Sequence, residues 1–332
     1  MFSLVKSAPQ VRKDFASCTG CGLCLLVCPV WRRTHDLGLT PLGRAKALQF
    51  GALASDMVES VRSCSLCAAC EPVCPEEIEL VALTLELRSR LPPQAATQQL
   101  QAQLDELTAR SPAPPAAATA LLLPDRALRA HPETLARAAA LLGASGAIAL
   151  GEDDGADIAS ALEAGLPLPT RRLERFLQPL RGARKIIVAD GLLLRHLYRW
   201  LAQAEIVGLG AALSGLPGVR RGLRASDLYV IEARAYHADY QRLVRYYDGL
   251  RAVAACSFNL DLQRIAIPAT ARSLPQRLGL EAVDDSAQTR WILRGRKVAR
   301  VVVESLEDAA AFAQVCDLPV VHLADLTEDG TS

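Results

Sequence analysis

Charge of one sign, aromatic residues, methionine and long apolar runs are all scarce in this chain. Its 332 residues carry 37 Lys and Arg against 36 Asp and Glu, so no positive surplus exists to hold a phosphate backbone, and nucleic acid is not an expected partner. The longest apolar stretches, residues 21–31 and 138–150, fall short of the roughly 20 residues that span a bilayer. The chain is expected to cross no membrane by itself. Its first residues, Met1-Phe2-Ser3-Leu4-Val5-Lys6, lack the basic stretch, apolar run and small-residue cleavage site of an export signal. The expected compartment is the cytoplasm, with any peripheral membrane association arising through partners. Histidine is sparse too, and His35, His131, His196 and His322 show no metal-like spacing.

Cysteine is what the chain has in quantity. Eight of the ten cysteines fall between Cys18 and Cys74, in a chain long enough to bury a core without disulfide staples, so they read as metal ligands. Residues 18–29 spell CxxCxxCxxxCP, and residues 64–75 repeat that spacing without deviation. Three thiolates at two-residue intervals wrap one face of a cuboidal iron–sulfur cluster, while the fourth, held before a proline, is directed away. Structural zinc sites use two separated pairs of ligands and give the third cysteine no role. Gly20 and Gly22 let the backbone approach inorganic sulfides. Leu25, Leu26, Val27 and Val73 fit either a shield around the clusters or ordinary core.

The doubled motif resembles that of two-cluster ferredoxins, in which the fourth cysteine ligates the other cluster. That resemblance assigns Cys18, Cys21, Cys24 and Cys74 to one 4Fe-4S cluster, and Cys64, Cys67, Cys70 and Cys28 to a second. Between Cys28 and Cys64 lie 35 residues, more than a compact ferredoxin needs, with helical patterns over 41–54 and 56–62. Residues 1–90 are therefore expected to form an α-helical ferredoxin domain with two 4Fe-4S clusters. Residues 91–118 read as a helix, marked by Leu100, Leu104 and Leu107, followed by a linker in which 111–118 combine three prolines with small residues.

Beyond the linker, apolar runs at 120–123, 147–150, 185–189, 205–209, 228–231, 252–255, 298–303 and 320–323 read as strands. Helical patterns fill most gaps, notably 132–142, 171–180, 192–202, 238–250 and 307–315. Such alternation predicts parallel strands with crossover helices, an α/β region of two Rossmann-like halves, 119–215 and 216–332, related as a duplication.

The run from Cys18 to Leu80, including Thr40-Pro41-Leu42-Gly43-Arg44, resembles the iron–sulfur subunits of glycolate oxidase, lactate-utilisation proteins, anaerobic glycerol-3-phosphate dehydrogenase and heterodisulfide reductase. The resemblance implies an electron-transfer subunit that forms no bond to substrate. Its donor would be a flavoprotein dehydrogenase. Its acceptor would be a quinone-linked protein, an electron-transferring flavoprotein or another iron–sulfur subunit. In that family each C-terminal half carries a Cys-Cys-Gly signature, which occurs nowhere here. By order and flanking pattern, Asp153-Asp154-Gly155 stands in the place of Cys-Cys-Gly, while Leu123-Pro124-Asp125, Ala189-Asp190-Gly191 and the end of the stretch Tyr236-His237-Ala238-Asp239-Tyr240 stand where the family has single cysteines. The halves are then degenerate. Two alternatives stand beside the relay: a heterodisulfide-reductase-like catalytic subunit, and a non-catalytic cluster-bearing scaffold or sensor.

Weaker signals favour structural readings. Gly208-Leu209-Gly210 opens like a dinucleotide loop, but its third glycine, Gly215, sits two positions too late. His237 is expected at a surface helix start, Cys256 and Cys316 as small buried hydrophobes, Trp31 as a core anchor, and Arg32, Arg33, Arg44 and Lys46 as solvated charge.

Overall fold

The computed structural model describes residues 13–109, 119–144 and 146–326; the expected linker at 111–118 lies outside them. The first part is helical. Its segments Leu23–Val27, Pro29–Thr34, Pro41–Gln49, Val58–Ser63 and Leu80–Ser89 begin where the sequence dictates. Pro29 and Pro41 occupy first helical positions, where the missing N–H costs nothing. Thr40 Oγ1 caps its helix by accepting from Gly43 N at 3.1 Å. Ala54, Met57, Val61, Ile78, Leu83 and Leu87 close the core behind them.

The helix Ala95–Ala109 follows. It is docked on the first α/β half: Leu104 is fully buried, and the Leu107 carbonyl accepts from Arg175 Nη1 at 2.6 Å.

Two four-stranded parallel sheets make up the rest. The first holds β1 (Ala120–Leu123), β2 (Ala149–Leu150), β3 (Lys185–Val188) and β4 (Glu205–Gly208) in the order β2-β1-β3-β4. The second holds β5 (Asp227–Val230), β6 (Ser257–Phe258), β7 (Arg300–Val303) and β8 (Val320–His322) in the order β6-β5-β7-β8. Every pairing within them is parallel, and the two halves share one topology.

Side-chain alternation explains how the sheets join. Successive residues of a strand face opposite sides. Leu122 and Ile187 of the first sheet and Tyr229 and Val302 of the second enter one common core. Their neighbours Leu121, Leu123, Ile186 and Val188 enter an outer core of the first half. Leu228, Val230, Val301 and Val303 do the same in the second. Burial on both faces is why these strands read as uninterrupted apolar runs.

Several expectations need correction. Arg32 is half-buried against Trp291, its guanidinium carbon 3.8 Å from the ring centroid, and is not a solvated charge. The run 252–255 is no strand: it ends the helix Tyr240–Ala254 and its αL cap at Ala255, and the strand is Ser257–Phe258 just beyond. His237 is buried, in the helix Ala233–Ala238. Arg44 is buried as well, donating from Nη1 to the Ser60 carbonyl at 2.8 Å and the Leu39 carbonyl at 3.2 Å. The Gly208 loop follows β4 as expected. Gly210, however, serves packing, since a Cβ there would lie 2.0 Å from Glu304 Cδ.

Candidate metal centres

The two cysteine motifs fold alike. Gly20 and Gly22 take φ of +84° and +80°, and their counterparts in the second motif, Leu66 and Ala68, take +53° and +59°. A left-handed backbone is easy for glycine and costs an L-residue roughly 1–2 kcal/mol, so the second loop is held in shape by its surroundings.

Two cavities adjoin these loops. One is lined by Cys18, Cys21, Cys24 and Cys74 together with Gly22, Pro41, Ile78 and Leu80. The other is lined by Cys28, Cys64, Cys67 and Cys70 together with Arg44, Leu66, Val81 and Thr84. Each cavity takes three thiols from one motif and the last from the other. The thiols interact electrostatically in the same two sets. Burial pushes Cys24 up to about 11, with Cys18, Cys21 and Cys74 adding to the rise. Burial likewise raises Cys70, helped by Cys67, Glu71, Cys64 and Cys28, and Cys67 to about 11. All ten cysteines are free. Among the described residues, no group of three or more His, Cys, Asp or Glu is arranged to hold a single metal ion; the cysteines border cavities instead. Four thiols around one small, apolar-walled cavity suit a polynuclear, positively charged iron core better than a single ion.

Residues 14–78 match the 4Fe-4S dicluster domain. A stretch of 81 residues is 35% identical to the uncharacterized electron transport protein YkgF of Escherichia coli (strain K12). It covers 23% of this chain and 17% of that protein, so the chain spans only about a sixth of that relative's length. No solved structure matches.

The second motif is held from two sides, by Arg88 of the helix Leu80–Ser89 and by Arg234 and His237 of the α/β region. Arg88 Nη2 donates to the Cys64 carbonyl, Arg234 Nη2 to the Ser65 carbonyl, and His237 Nδ1 lies 2.7 Å from the Cys67 carbonyl. Arg195 pairs with Glu71, whose other oxygen accepts from Val81 N at 2.9 Å. Burial drives His237 down to about 4. The ring is therefore neutral, Nδ1 carries the proton that Cys67 O accepts, and the buried Nε2 has no partner. At the first motif the support is local: Lys46 Nζ and Gln49 Nε2 both donate to the Cys18 carbonyl, at 3.0 and 2.9 Å. The eight motif cysteines border the two cavities in the two sets expected from the sequence. Sequence reasoning missed the residues that hold the second loop, because His237 and Arg234 reach it from 170 and 169 positions away. The available signal was the spacing of Ala233, Tyr236 and His237, which puts the histidine on the buried face of a short helix.

A polar cavity of about 180 Å³ lies at the carboxyl ends of the strands of both sheets, with Cys67 in its wall. Three of the stretches standing where family cysteines were expected meet here, through Asp125, Asp154, Asp190 and Gly191, while no residue of 236–240 lines it. Asp125 Oδ1 and Asp190 Oδ1 accept from Leu128 N and Leu193 N, each at 2.7 Å, and Glu232 accepts from Arg234 N and Ala235 N. These carboxylates cap the helices after β1, β3 and β5. The remaining cysteines lie elsewhere: Cys256 in the common core and Cys316 beside the outer core of the second half.

Proposed function

We propose that this protein is an electron-transfer iron–sulfur subunit, working in the cytoplasm with two 4Fe-4S clusters. Cys18, Cys21, Cys24 and Cys74 hold one, and Cys64, Cys67, Cys70 and Cys28 hold the other. The observation that carries the proposal is the pair of cavities, each bordered by four free thiols, three from one motif and one from the other. The match of residues 14–78 to a 4Fe-4S dicluster domain and the name of the E. coli relative support it.

In this role the clusters accept and release single electrons, and the protein's own groups fix their surroundings. Apolar walls exclude water, and Arg88, Arg234 and His237 fix the second loop. A flavoprotein dehydrogenase supplies the electrons and a downstream carrier removes them. The cavity between the halves offers Cys67 as its only cysteine, which favours the relay over a heterodisulfide-reductase-like catalyst with a further centre there. The test is anaerobic iron and sulfide determination on the isolated chain, with electron paramagnetic resonance of the reduced form. About eight irons and the spectrum of two interacting clusters are expected. Four irons would reduce the assignment to one cluster, and clearly more than eight would return a catalytic centre to the α/β region.

A further inference from the structure

An open groove of about 880 Å³ runs between the first cysteine motif and the second α/β half, lined by Leu26, Arg32, Leu262, Arg264 and Trp291 among others. Leu26 is 63% exposed, and Leu262, in the loop after β6, is wholly exposed. Arg32 lies over Trp291, its guanidinium carbon 3.8 Å from the ring centroid, a cation–π contact joining the two parts of the chain. Its Nη1 is buried without a hydrogen-bond partner. Arg32 is therefore held in place with a donor to spare, which is not what a solvated surface charge does.

Charge on this wall is one-sided. Arg251 and Arg296 also line the groove, and Asp261 is its one carboxylate. Asp248 offsets part of the excess, pairing with Arg264 at 3.1 Å and Arg251 at 3.5 Å. Beyond the groove Arg290, Arg294 and Lys297 add three cations, against Asp284 and an Asp285 that is paired with Arg272. The groove lies one layer of side chains from the second set of thiols. Ile265, from the same loop as Leu262, packs with Val27, Cys67 and Ala69, and Leu26 stands two residues before Cys28.

We propose that this groove is the docking port of an acidic electron-carrier protein that exchanges electrons with the Cys28, Cys64, Cys67 and Cys70 site. The proposal rests on the relay reading above. Arginine around exposed leucine and tryptophan is the composition of a protein interface, with an apolar centre and a polar rim; a small anion would leave Leu26 and Leu262 without purpose. The step is outer-sphere. One electron would leave the reduced cluster held by Cys28, Cys64, Cys67 and Cys70 and enter the oxidised carrier, with no bond made or broken, and the same port would serve the reverse transfer from a reduced carrier. Cys21, exposed at the other cavity, leaves the first site open to a different partner.

The probe is reduced plant-type 2Fe-2S ferredoxin, an acidic carrier, mixed anaerobically in a stopped-flow instrument with the oxidised full-length chain. Methyl viologen radical serves as a small reductant that needs no docking. The variants are Leu262→Asp and Arg264→Glu, both at exposed positions. The second-order rate with ferredoxin is expected to fall steeply with salt and to drop about tenfold in each variant, as rim charges act mainly on association, while the viologen rate stays at the wild-type value. Unchanged ferredoxin rates in the variants, a salt-independent wild-type rate, or reduction by viologen without any by ferredoxin would each overturn the port and leave the relay standing. Inhibition by inorganic phosphate at constant ionic strength would make the groove a small-anion site and also overturn it. An iron-loaded chain that neither reductant reduces would sink the relay itself, and the port with it.

Discussion

At position 237 a histidine of the α/β region reaches a carbonyl of the second cysteine loop, a kind of support from a distance that the first loop lacks among the described residues. Lys46 and Gln49 satisfy the Cys18 carbonyl from the same domain. The Cys67 carbonyl depends on His237, delivered by the α/β region. Burial keeps that ring neutral, so it fixes the loop by a hydrogen bond and adds no charge. Replacing it in His237→Phe preserves a buried ring and leaves the carbonyl unsatisfied, at a stability cost of about 1–3 kcal/mol. The expected result in a potentiometric titration followed by electron paramagnetic resonance is a shifted midpoint for one cluster and an unshifted one for the other. A uniform shift of both would mean that His237 acts on the fold as a whole. Leu66 and Ala68 make the same point through the backbone, since they hold with φ above +50° a shape that glycines supply in the first motif.

Among elements, the two cysteine motifs interlock, and the exchange of the fourth thiol can be tested one cysteine at a time. Cys74 belongs to the second motif by sequence and to the first cavity by position. Cys74→Ser is therefore expected to remove or alter the cluster of Cys18, Cys21 and Cys24 while the signal of the Cys64, Cys67 and Cys70 cluster persists. The reverse pattern would mean that each motif closes on itself. The motifs were legible because cluster ligation demands a fixed local spacing. Most strands were legible too, because Leu121–Leu123, Ile186–Val188 and Val301–Val303 are buried on both faces and so stay apolar throughout. Ser257–Phe258 was not, because a two-residue strand has no periodicity, and the helix before it ends in apolar residues that imitate one. Nor was the grip on the second loop, which is made by polar side chains whose partners are set only by the packing of distant elements.

For the whole molecule, one carboxylate holds three parts together. Glu163, in the first α/β half, pairs with Arg88 of the dicluster domain and with Arg234 and Arg277 of the second half. Burial opposes its ionisation, yet Arg234, Arg277 and Arg88 together hold its carboxyl down at about 2. A carboxylate depressed in the folded state contributes stability that is complete above its ordinary value near 4.5 and is lost as pH falls towards 2. The thermal stability gap between wild type and Glu163→Gln is expected to be widest above pH 4.5 and to close as pH falls below it. A gap independent of pH would mean that the charge on Glu163 is not what binds the parts.

The alternation along β1, β3, β5 and β7 bears on how anything reaches the cavity between the halves. Leu122, Ile187, Tyr229 and Val302 lie in one continuous core, so the halves cannot swing apart like a clamshell without exposing it to water. The shared core fixes the mouth of the cavity. Whatever enters passes the side chains at its rim, and small-angle scattering profiles should be the same whether it is full or empty.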